Sequence, residues 1–300
     1  LYRGFVIDEY LTRYEDLFKP DFIIKNAGIG GFVKLKTPQI LIFQNPFYGY
    51  LKEQLKQGII STNSNFFLTC IELMKRTAKQ AFLRVAVSNY TKKEMELEGI
   101  KCDKVIEEGI DTAKFSPVID KEKLKKDHSL PLDKKIGIAV TKFIPQKGWS
   151  ILSKLIKEFP DIYWIVILTE EFGIKPKLKN VIVIEKVLPE VMSRMYNCAD
   201  FFISTSPVES FGLCSLEAAS CGLPVINFKT GWAWDWWDER LGLRIDNWDI
   251  ESFSKAVKKI RDSDFSEFSP REALIEKGFT KEVSEKNWQK FVKEVLKKKV

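Results

Sequence analysis

Short runs of apolar, β-branched residues alternate along this chain with longer segments that have helical periodicity. Strands that alternate with helices are typical of parallel sheets covered by helices on both faces. The pattern therefore predicts an α/β protein, with helices that include residues 71–80, 149–159 and 191–199. The predicted strands are 21–25, 39–43, 82–88, 104–108, 136–140, 163–168, 181–184, 201–205 and 224–228.

The size and charge of the chain narrow the classes of protein it can belong to. Three hundred residues with 45% hydrophobic side chains suit one large domain or two of ordinary size. The net charge of +7 is compatible with nucleic acid, anionic lipid, phosphorylated small molecules, or simply a lysine-rich solvated surface. No element interleaves basic and aromatic residues as a stripe, so nucleic acid is not an expected partner.

Cysteine and histidine usage argues against a CxxC metal or redox site and excludes any site built on several histidines. The five cysteines, at positions 70, 102, 198, 214 and 221, form no CxxC pair, and His128 is the single histidine. We expect reduced thiols and a location inside the cell. No run approaches about 18 apolar residues, so no membrane-spanning helix is expected. The chain begins with Leu1 rather than Met, which leaves open an upstream portion.

A polar, lysine-rich stretch at 110–135 reads as a connection between two α/β halves. We predict an amino-terminal domain over residues 1–112, a carboxy-terminal domain over 113–280, and a final helix over 281–300 that packs back toward the first domain. The apolar residues of that helix lie on one side: Val283, Trp288, Phe291, Val292 and Val295. Its terminal lysines suit a helix end, and contact with anionic lipid is the alternative.

The segment VESFGLCSLEAASCGLPVINF, residues 208–228, predicts a loop, a helix over LCSLEAAS, an αL cap at Gly222 and the next strand. The preceding strand makes this a βαβ unit whose ligand edge lies beyond the strand ends. Glu209 falls in the loop over that edge, and Glu217 falls near the start of the helix. Gly212 allows backbone amides to approach a ligand, and the helix start favours an anion.

Two carboxylates beside such an anion site suit a ligand that carries both a phosphate and a diol. A carboxylate accepts two hydroxyl hydrogen bonds from a diol, each worth roughly 1.5–3 kcal/mol. The alternative is that Glu209 caps the helix and that Glu217 only faces water.

At these residues the chain resembles the retaining GT-B glycosyltransferases of family 4, the glycosyl transferases group 1. Their hallmark is E-x7-E followed by a small-residue helix and G-x-P-V, and here it reads E-SFGLCSL-E-AASCGLPV. The resemblance covers about residues 85–230. Four further segments match in order: VSNYTKKEMELEGI (87–100), VIEEGIDTAKFSP (105–117), TKFIPQKGWSIL (141–152) and LPEVMSRMYNCADFFISTS (188–206).

The resemblance implies a GT-B fold, with two Rossmann-like domains facing across a cleft and an amino-terminal domain that is open to truncation. It implies a retaining, metal-independent hexosyltransferase without a cofactor, which uses a UDP-, GDP- or ADP-linked sugar as donor substrate. The acceptor would be a glycan, a lipid-linked sugar or a small polyol, in polysaccharide or glycolipid biosynthesis. The expected location is cytoplasmic, with peripheral contact at the inner face of the membrane left open.

The family's roles carry over to matching positions. Glu209 would contact the transferred sugar and Glu217 the ribose. Lys147, together with Lys142 in the place of the usual arginine, would offset the charge of the diphosphate, so bidentate contact is lost at Lys142. The residues assigned to catalysis are Glu209, Lys147 and Lys142, and those assigned to donor binding are Glu217, Phe211, Gly212, Leu213 and Leu188.

The amino-terminal part departs from the family pattern. The glycine-rich NAGIGGF, residues 26–32, reads as an acceptor-side loop that includes Gly30. Gln44 and Asn45 stand where many members have a histidine that contacts the donor sugar. Asn45 as its substitute, Tyr48 as a stacking surface and Gly30 are the acceptor-side predictions. Loss of the histidine also supports a second reading, a degenerate GT-B domain that binds nucleotide sugar or a partner subunit without catalysis.

Two further segments remain. GWAWDWWDER, residues 231–240, reads either as a satellite core beneath its loop or as an aromatic wall for a sugar or a membrane interface. Asp262 and Asp264 form the D-x-D of the chain and follow a predicted helix. We read them as turn and cap residues, so no metal site is predicted.

Overall fold

The computed structural model describes residues 2–26, 33–56, 62–169 and 179–298. The chain divides into two compact units. Unit 1 comprises Leu1–Glu107, Val208–Phe211 and Glu285–Val300, and unit 2 comprises Glu108–Pro207 and Gly212–Ser284. None of the helices in the described ranges is long and apolar enough to cross a membrane.

Each of the predicted strands is confirmed, and the structure adds one strand that the sequence did not predict, β10. The strands are β1 (Ile23–Asn26), β2 (Gln39–Phe43), β3 (Leu83–Ala86), β4 (Lys104–Val105), β5 (Ile136–Thr141), β6 (Tyr163–Leu168), β7 (Val181–Glu185), β8 (Phe201–Ser204), β9 (Val225–Phe228) and β10 (Gly242–Ile245). The helices are α1 (Tyr2–Phe18), α2 (Phe47–Lys56), α3 (Thr62–Gln80), α4 (Asn89–Leu97), α5 (Lys121–Asp127), α6 (Trp149–Glu158), α7 (Pro189–Asn197), α8 (Leu213–Ser220), α9 (Ile250–Asp262), α10 (Pro270–Glu276) and α11 (Lys281–Lys298).

Unit 1 contains a parallel sheet in the order β1-β2-β3-β4. Strand β2 is buried along its whole length, so successive side chains enter cores on opposite faces. Leu41 lies in a core with residues of α2, α3 and α4. Ile40 lies in the other core, with Phe291 and Val295 of α11. The apolar side of the last helix is therefore covered by this sheet.

Unit 2 contains a parallel sheet in the order β10-β9-β8-β5-β6-β7. Trp164 of β6 and Phe201 of β8 meet edge to face, with ring centroids 5.7 Å apart. Gly137 of β5 lies between them, and a Cβ there would come within 2.7 Å of the Phe201 ring and 2.8 Å of the Trp164 ring. Position 137 in the run IGIAV therefore has no room for a side chain, which is why it is a glycine.

The stretch 110–135 differs from the predicted connection, because it is packed into unit 2 and contains α5. The side chain of Asn197 donates to the carbonyl of Ser116 at 2.9 Å and accepts from the amide of Val118 at 3.0 Å. Lys125 forms an ion pair with Asp200 at 2.9 Å. The polar composition of this stretch reflects its exposed side chains, while its backbone is bonded to buried partners. The boundary between the two units lies at Glu107.

Candidate functional site

The strand order of unit 2 reverses between β5 and β8, which are hydrogen-bonded neighbours. From β5 the chain continues outward through β6 and β7, and from β8 it continues in the other direction through β9 and β10. Open α/β sheets bind ligands at such a switch point, beyond the carboxyl ends of the strands. The loops that follow β5 and β8 are therefore the candidate site of unit 2.

The loop after β5 carries the two predicted catalytic lysines, Lys142 and Lys147, both half-buried. A short 3-10 helix over Pro145–Lys147 leads into Gly148, whose φ of 67° is left-handed. The hydroxyl of Thr205, which follows β8, donates to the carbonyls of Lys147 and Gly148 at 3.3 and 3.1 Å. A Cβ on Gly148 would lie 1.9 Å from the Thr205 carbonyl oxygen, so this loop rests directly on the neighbouring one.

The helix α8 begins as the sequence predicts. Gly212 is its N-cap with φ 97°, and no side chain caps it. Leu213 is the first helical residue and is 36% exposed. Gly222 follows the helix in the left-handed region, with φ 83°, as the cap prediction requires.

A buried tryptophan orients the start of α8. The indole Nε1 of Trp232 donates to the hydroxyl of Ser215 at 2.8 Å, and that hydroxyl donates to the carbonyl of Gly212 at 2.8 Å. Trp232 stacks on Trp237 with ring centroids 5.5 Å apart and meets Phe279 edge to face. The interpretation of this segment as a satellite core holds for Trp232.

Glu217 lies on α8 and is half-buried, so the alternative that it only faces water is wrong. Its carboxylate accepts a hydrogen bond from the hydroxyl of Tyr196 at 2.7 Å. Burial raises the pKa of Glu217, and both the Tyr196 hydrogen bond and the charge of Lys114 oppose that rise. The result is a partly desolvated carboxylate in a fixed orientation.

Sequence reasoning did not assign a site role to Tyr196 or to Lys114. Both lie within the segments that carry the family resemblance, Tyr196 in YNCAD and Lys114 in DTAKF. Tyr196 is fully buried at the end of α7, and a buried tyrosine hydroxyl needs a partner. The need for a hydrogen-bond partner was the signal in the sequence that could have indicated Tyr196. The sequence does not show which acceptor its hydroxyl meets.

The four residues Val208–Phe211 belong to unit 1, although the sequence predicted them as part of a domain over 113–280. The carbonyl of Ser210 accepts from the hydroxyl of Thr91 at 2.8 Å and from the hydroxyl of Ser88. Val208 and Phe211 are buried, and Glu209 between them is half-buried. The residue that follows the first glutamate of the motif is therefore hydrogen-bonded to the segment where α4 begins.

The remaining predicted residues are more scattered. Leu188 is 65% exposed and follows β7, the edge strand of its sheet. Asn45 follows β2 and is half-buried, and its carbonyl accepts from the amide of Phe47. Tyr48 is half-buried and packs against the core of unit 1. Gly30 lies outside the described residues.

Of the D-x-D pair, Asp264 makes the turn contact that the sequence predicted, and Asp262 pairs with the side chain of its neighbour. The guanidinium of Arg261 donates to Asp262 at 2.8 Å, and Asp264 accepts from the amide of Ser266 at 3.0 Å. Across the described ranges, no group of three or more His, Cys, Asp or Glu side chains is arranged to hold a metal ion.

Comparison with known proteins places the chain in a family. The sequence profile of Glycosyl transferases group 1 matches residues 120–281, more than half of the chain, and the chain belongs to this family. It is 27% identical over 184 residues to the D-inositol 3-phosphate glycosyltransferase of Corynebacterium jeikeium. That match covers 52% of this chain and 43% of the relative, so this chain spans less than half the length of that protein.

Solved structures confirm the GT-B fold of parallel α/β sheets. Sucrose-phosphate synthase of Thermosynechococcus elongatus matches with a TM-score of 0.79 at 18% identity, covering 96% of this chain and 77% of that one. Anabaena HepE in complex with UDP-glucose matches with a TM-score of 0.77 at 16% identity, covering 96% and 82%. At such identities the likeness shows the fold alone.

Proposed function

We propose that this protein is a retaining glycosyltransferase of family 4 that moves a hexose from a nucleotide-sugar donor to an acceptor. One observation carries the proposal. At the switch point of unit 2, a left-handed glycine opens α8 after β8, and the loop after β5, which carries two lysines, accepts a hydrogen bond from Thr205 just after β8. Backbone amides at a helix start and cations on the adjoining loop suit a diphosphate.

The donor would be held through its phosphates and its ribose. The amides of Phe211, Gly212 and Leu213 would face the diphosphate or the sugar. Glu217, oriented by Tyr196, would accept the two hydroxyls of the ribose. Each such charge-assisted hydrogen bond is worth roughly 1.5–3 kcal/mol. HepE binds UDP-glucose in its solved complex, which supports a nucleotide sugar as the ligand class.

The chemistry would rest on positioning and charge. As the bond to the diphosphate breaks, positive charge develops on the sugar and negative charge on the leaving group. Lys142 and Lys147 would stabilise the leaving diphosphate in place of a metal ion. Glu209 would contact the transferred sugar, whose configuration at the reacting carbon is kept in the product. The ammonium group of Lys142 supplies a positive charge but not the bidentate hydrogen bonding of an arginine guanidinium.

The other roles concern specificity. Leu188, exposed ahead of α7, would border the base, which is uracil, guanine or adenine. Asn45, Tyr48 and Gly30 would lie on the acceptor side, with a glycan, a lipid-linked sugar or a small polyol as acceptor. We place the enzyme in cytoplasmic polysaccharide or glycolipid biosynthesis, with peripheral contact at the membrane face.

A second function has its own supporting observation. Gln44 and Asn45 follow β2 where many family members have a histidine that contacts the donor sugar. A degenerate domain would bind the nucleotide sugar, or a partner subunit, without transferring the sugar.

The test is calorimetric titration in EDTA with UDP, GDP and ADP and with their common sugar derivatives. We expect one nucleotide to bind, and we expect Glu217→Ala to lose that binding. Glu190→Ala, an exposed glutamate at the start of α7, is the control and should bind as the native protein does. Failure of every nucleotide to bind would reject the donor site.

Transfer is assayed separately against a panel of acceptors. Lys147→Ala should abolish it, whereas Lys154→Ala, an exposed lysine on α6, should leave it intact. Full activity in Lys147→Ala or Glu209→Ala would refute the assignment of catalytic roles. Donor binding with neither transfer nor hydrolysis would favour the degenerate domain.

A further inference from the structure

One side of α4 is polar and yet buried. Ser88, Thr91, Glu94 and Glu98 recur at spacings of three and four residues, which places them on one face of the helix. All of them are more than nine-tenths buried. Buried polar groups need partners, so this face must contact something other than apolar side chains.

The two hydroxyl groups of this face converge on a single acceptor. Thr91 Oγ1 donates to the carbonyl of Ser210 at 2.8 Å, and the hydroxyl of Ser88 also lies within hydrogen-bond distance of it. The Ser88 oxygen accepts from the amide of Thr91 at 3.0 Å as the cap of α4. Ser88 therefore also caps its own helix, and its hydroxyl lies 3.1 Å from Thr91 Oγ1, whereas the cap of α4 does not use the Thr91 hydroxyl.

The same short segment is also confined one residue before Glu209. A Cβ on Gly49, in α2, would lie 2.9 Å from Cγ1 of Val208 and 2.9 Å from Oε2 of Glu94. Only the absence of a side chain at Gly49 lets α2 approach Val208 this closely. Glu209 thus lies between two restrained neighbours, Val208 in its apolar contact and Ser210 in its hydrogen bonds.

We propose that Thr91 is a positioning residue that fixes, through the Ser210 carbonyl, the backbone from which Glu209 meets the transferred sugar. The inference rests on the proposed function of Glu209, and it assigns Thr91 a role that the family motif does not contain. A reacting group must be held to within a fraction of an ångström, and a misplacement of about 1 Å can cost roughly 100-fold in rate.

The test uses two substitutions of the same residue. Thr91→Val removes the hydroxyl and keeps the shape, and Thr91→Ser keeps the hydroxyl. Thr77→Val is the matched control, because Thr77 is equally buried in unit 1 but its hydroxyl donates to the carbonyl of Leu73 in its own helix, at 2.9 Å. Any general loss from a buried hydroxyl should appear in both valine variants.

We expect Thr91→Val to lower kcat for sugar transfer by roughly 10- to 100-fold, with the Kd for the nucleoside diphosphate unchanged. Thr91→Ser should restore most of the rate, and Thr77→Val should keep it. Transfer at the native rate in Thr91→Val, or an equal loss in Thr77→Val, would overturn the proposal.

A second measurement does not depend on the reaction. Amide hydrogen exchange of residues 209–212 should be faster in Thr91→Val than in the native protein or in Thr77→Val. If the native protein binds no nucleotide sugar, the proposed function fails, but hydrogen exchange still reports whether the Thr91 hydroxyl restrains the Ser210 backbone. Equal exchange in all three proteins would show that Thr91 does not hold this segment.

Discussion

The buried carboxylate of Glu98 makes the stability of unit 1 depend on pH. Glu98 is 7% exposed at the end of α4, and one of its oxygens accepts from the amide of Tyr48 at 3.0 Å. Among the described residues, its other oxygen has no hydrogen-bond partner. Burial raises the pKa of Glu98 from 4.5 to about 7, although the Tyr48 hydrogen bond lowers it, and the charge of Glu94 adds to the rise.

The magnitude follows from that shift. A change of about 2.5 pKa units corresponds to about 3 kcal/mol, at about 1.36 kcal/mol per unit. The folded protein holds this proton more tightly than the unfolded chain. The stabilisation is therefore complete below pH 4.5 and is lost as the pH rises to about 7. Glu98→Gln stays neutral and keeps an oxygen for the Tyr48 amide, so it should escape this loss.

The assay is urea denaturation followed by far-UV circular dichroism, from pH 4.5 to pH 8.5. The free energy of unfolding of Glu98→Gln should match the native value at pH 4.5 and exceed it by up to about 3 kcal/mol at pH 8.5. Glu96→Gln, an exposed neighbour on α4, should show no such divergence. A difference between Glu98→Gln and the native protein that stays constant with pH would refute the reasoning.

Further substitutions test the contacts of unit 2. Gly148→Ala should destabilise the protein by more than about 2 kcal/mol, because its Cβ would meet the carbonyl of Thr205 at 1.9 Å and its φ is 67°; an unchanged urea midpoint would contradict this. Tyr196→Phe should raise the pKa of Glu217 further, so calorimetric nucleotide affinity should fall roughly 10- to 100-fold, and the loss should grow as the pH is lowered. Asn197→Ala should expose the segment before α5 to limited proteolysis, since two backbone partners are lost; native resistance would count against that role.

Local patterns were sufficient where the chain forms regular, buried elements. Strand β2 reads QILIF and is buried at every position, so its apolar run had no competing interpretation. Helix α8 begins and ends where its glycines predict. Strand β10 was missed because GLRI is short and carries Arg244, whose guanidinium forms an ion pair with Asp246 at 3.2 Å. A half-buried edge strand of four residues has no period that a sequence can display.

The contacts that organise the candidate site could not be predicted in the same way. The hydroxyl of Ser88 meets the carbonyl of Ser210 across 122 residues of sequence, and Tyr196 meets Glu217 across 21. Neither pairing leaves a periodic signal, because each depends on how whole elements pack. The sequence therefore allowed the carboxylates of the motif to be predicted, but it did not allow the residues that orient them to be predicted.

The two glutamates of E-x7-E are restrained in physically different ways. Glu217 is bound at its carboxylate by the Tyr196 hydroxyl, so the same bond that sets its orientation also influences its ionisation. Near Glu209, the hydroxyls of Ser88 and Thr91 bond to the carbonyl of the next residue, Ser210, so this restraint acts on the backbone. A group that grips a ribose benefits from a fixed, ionised carboxylate. A group that meets a sugar as charge develops needs an accurate backbone position while its carboxylate responds to the substrate. The spacing of the motif alone does not provide this distinction, which on the proposed roles comes from Tyr196 and Thr91.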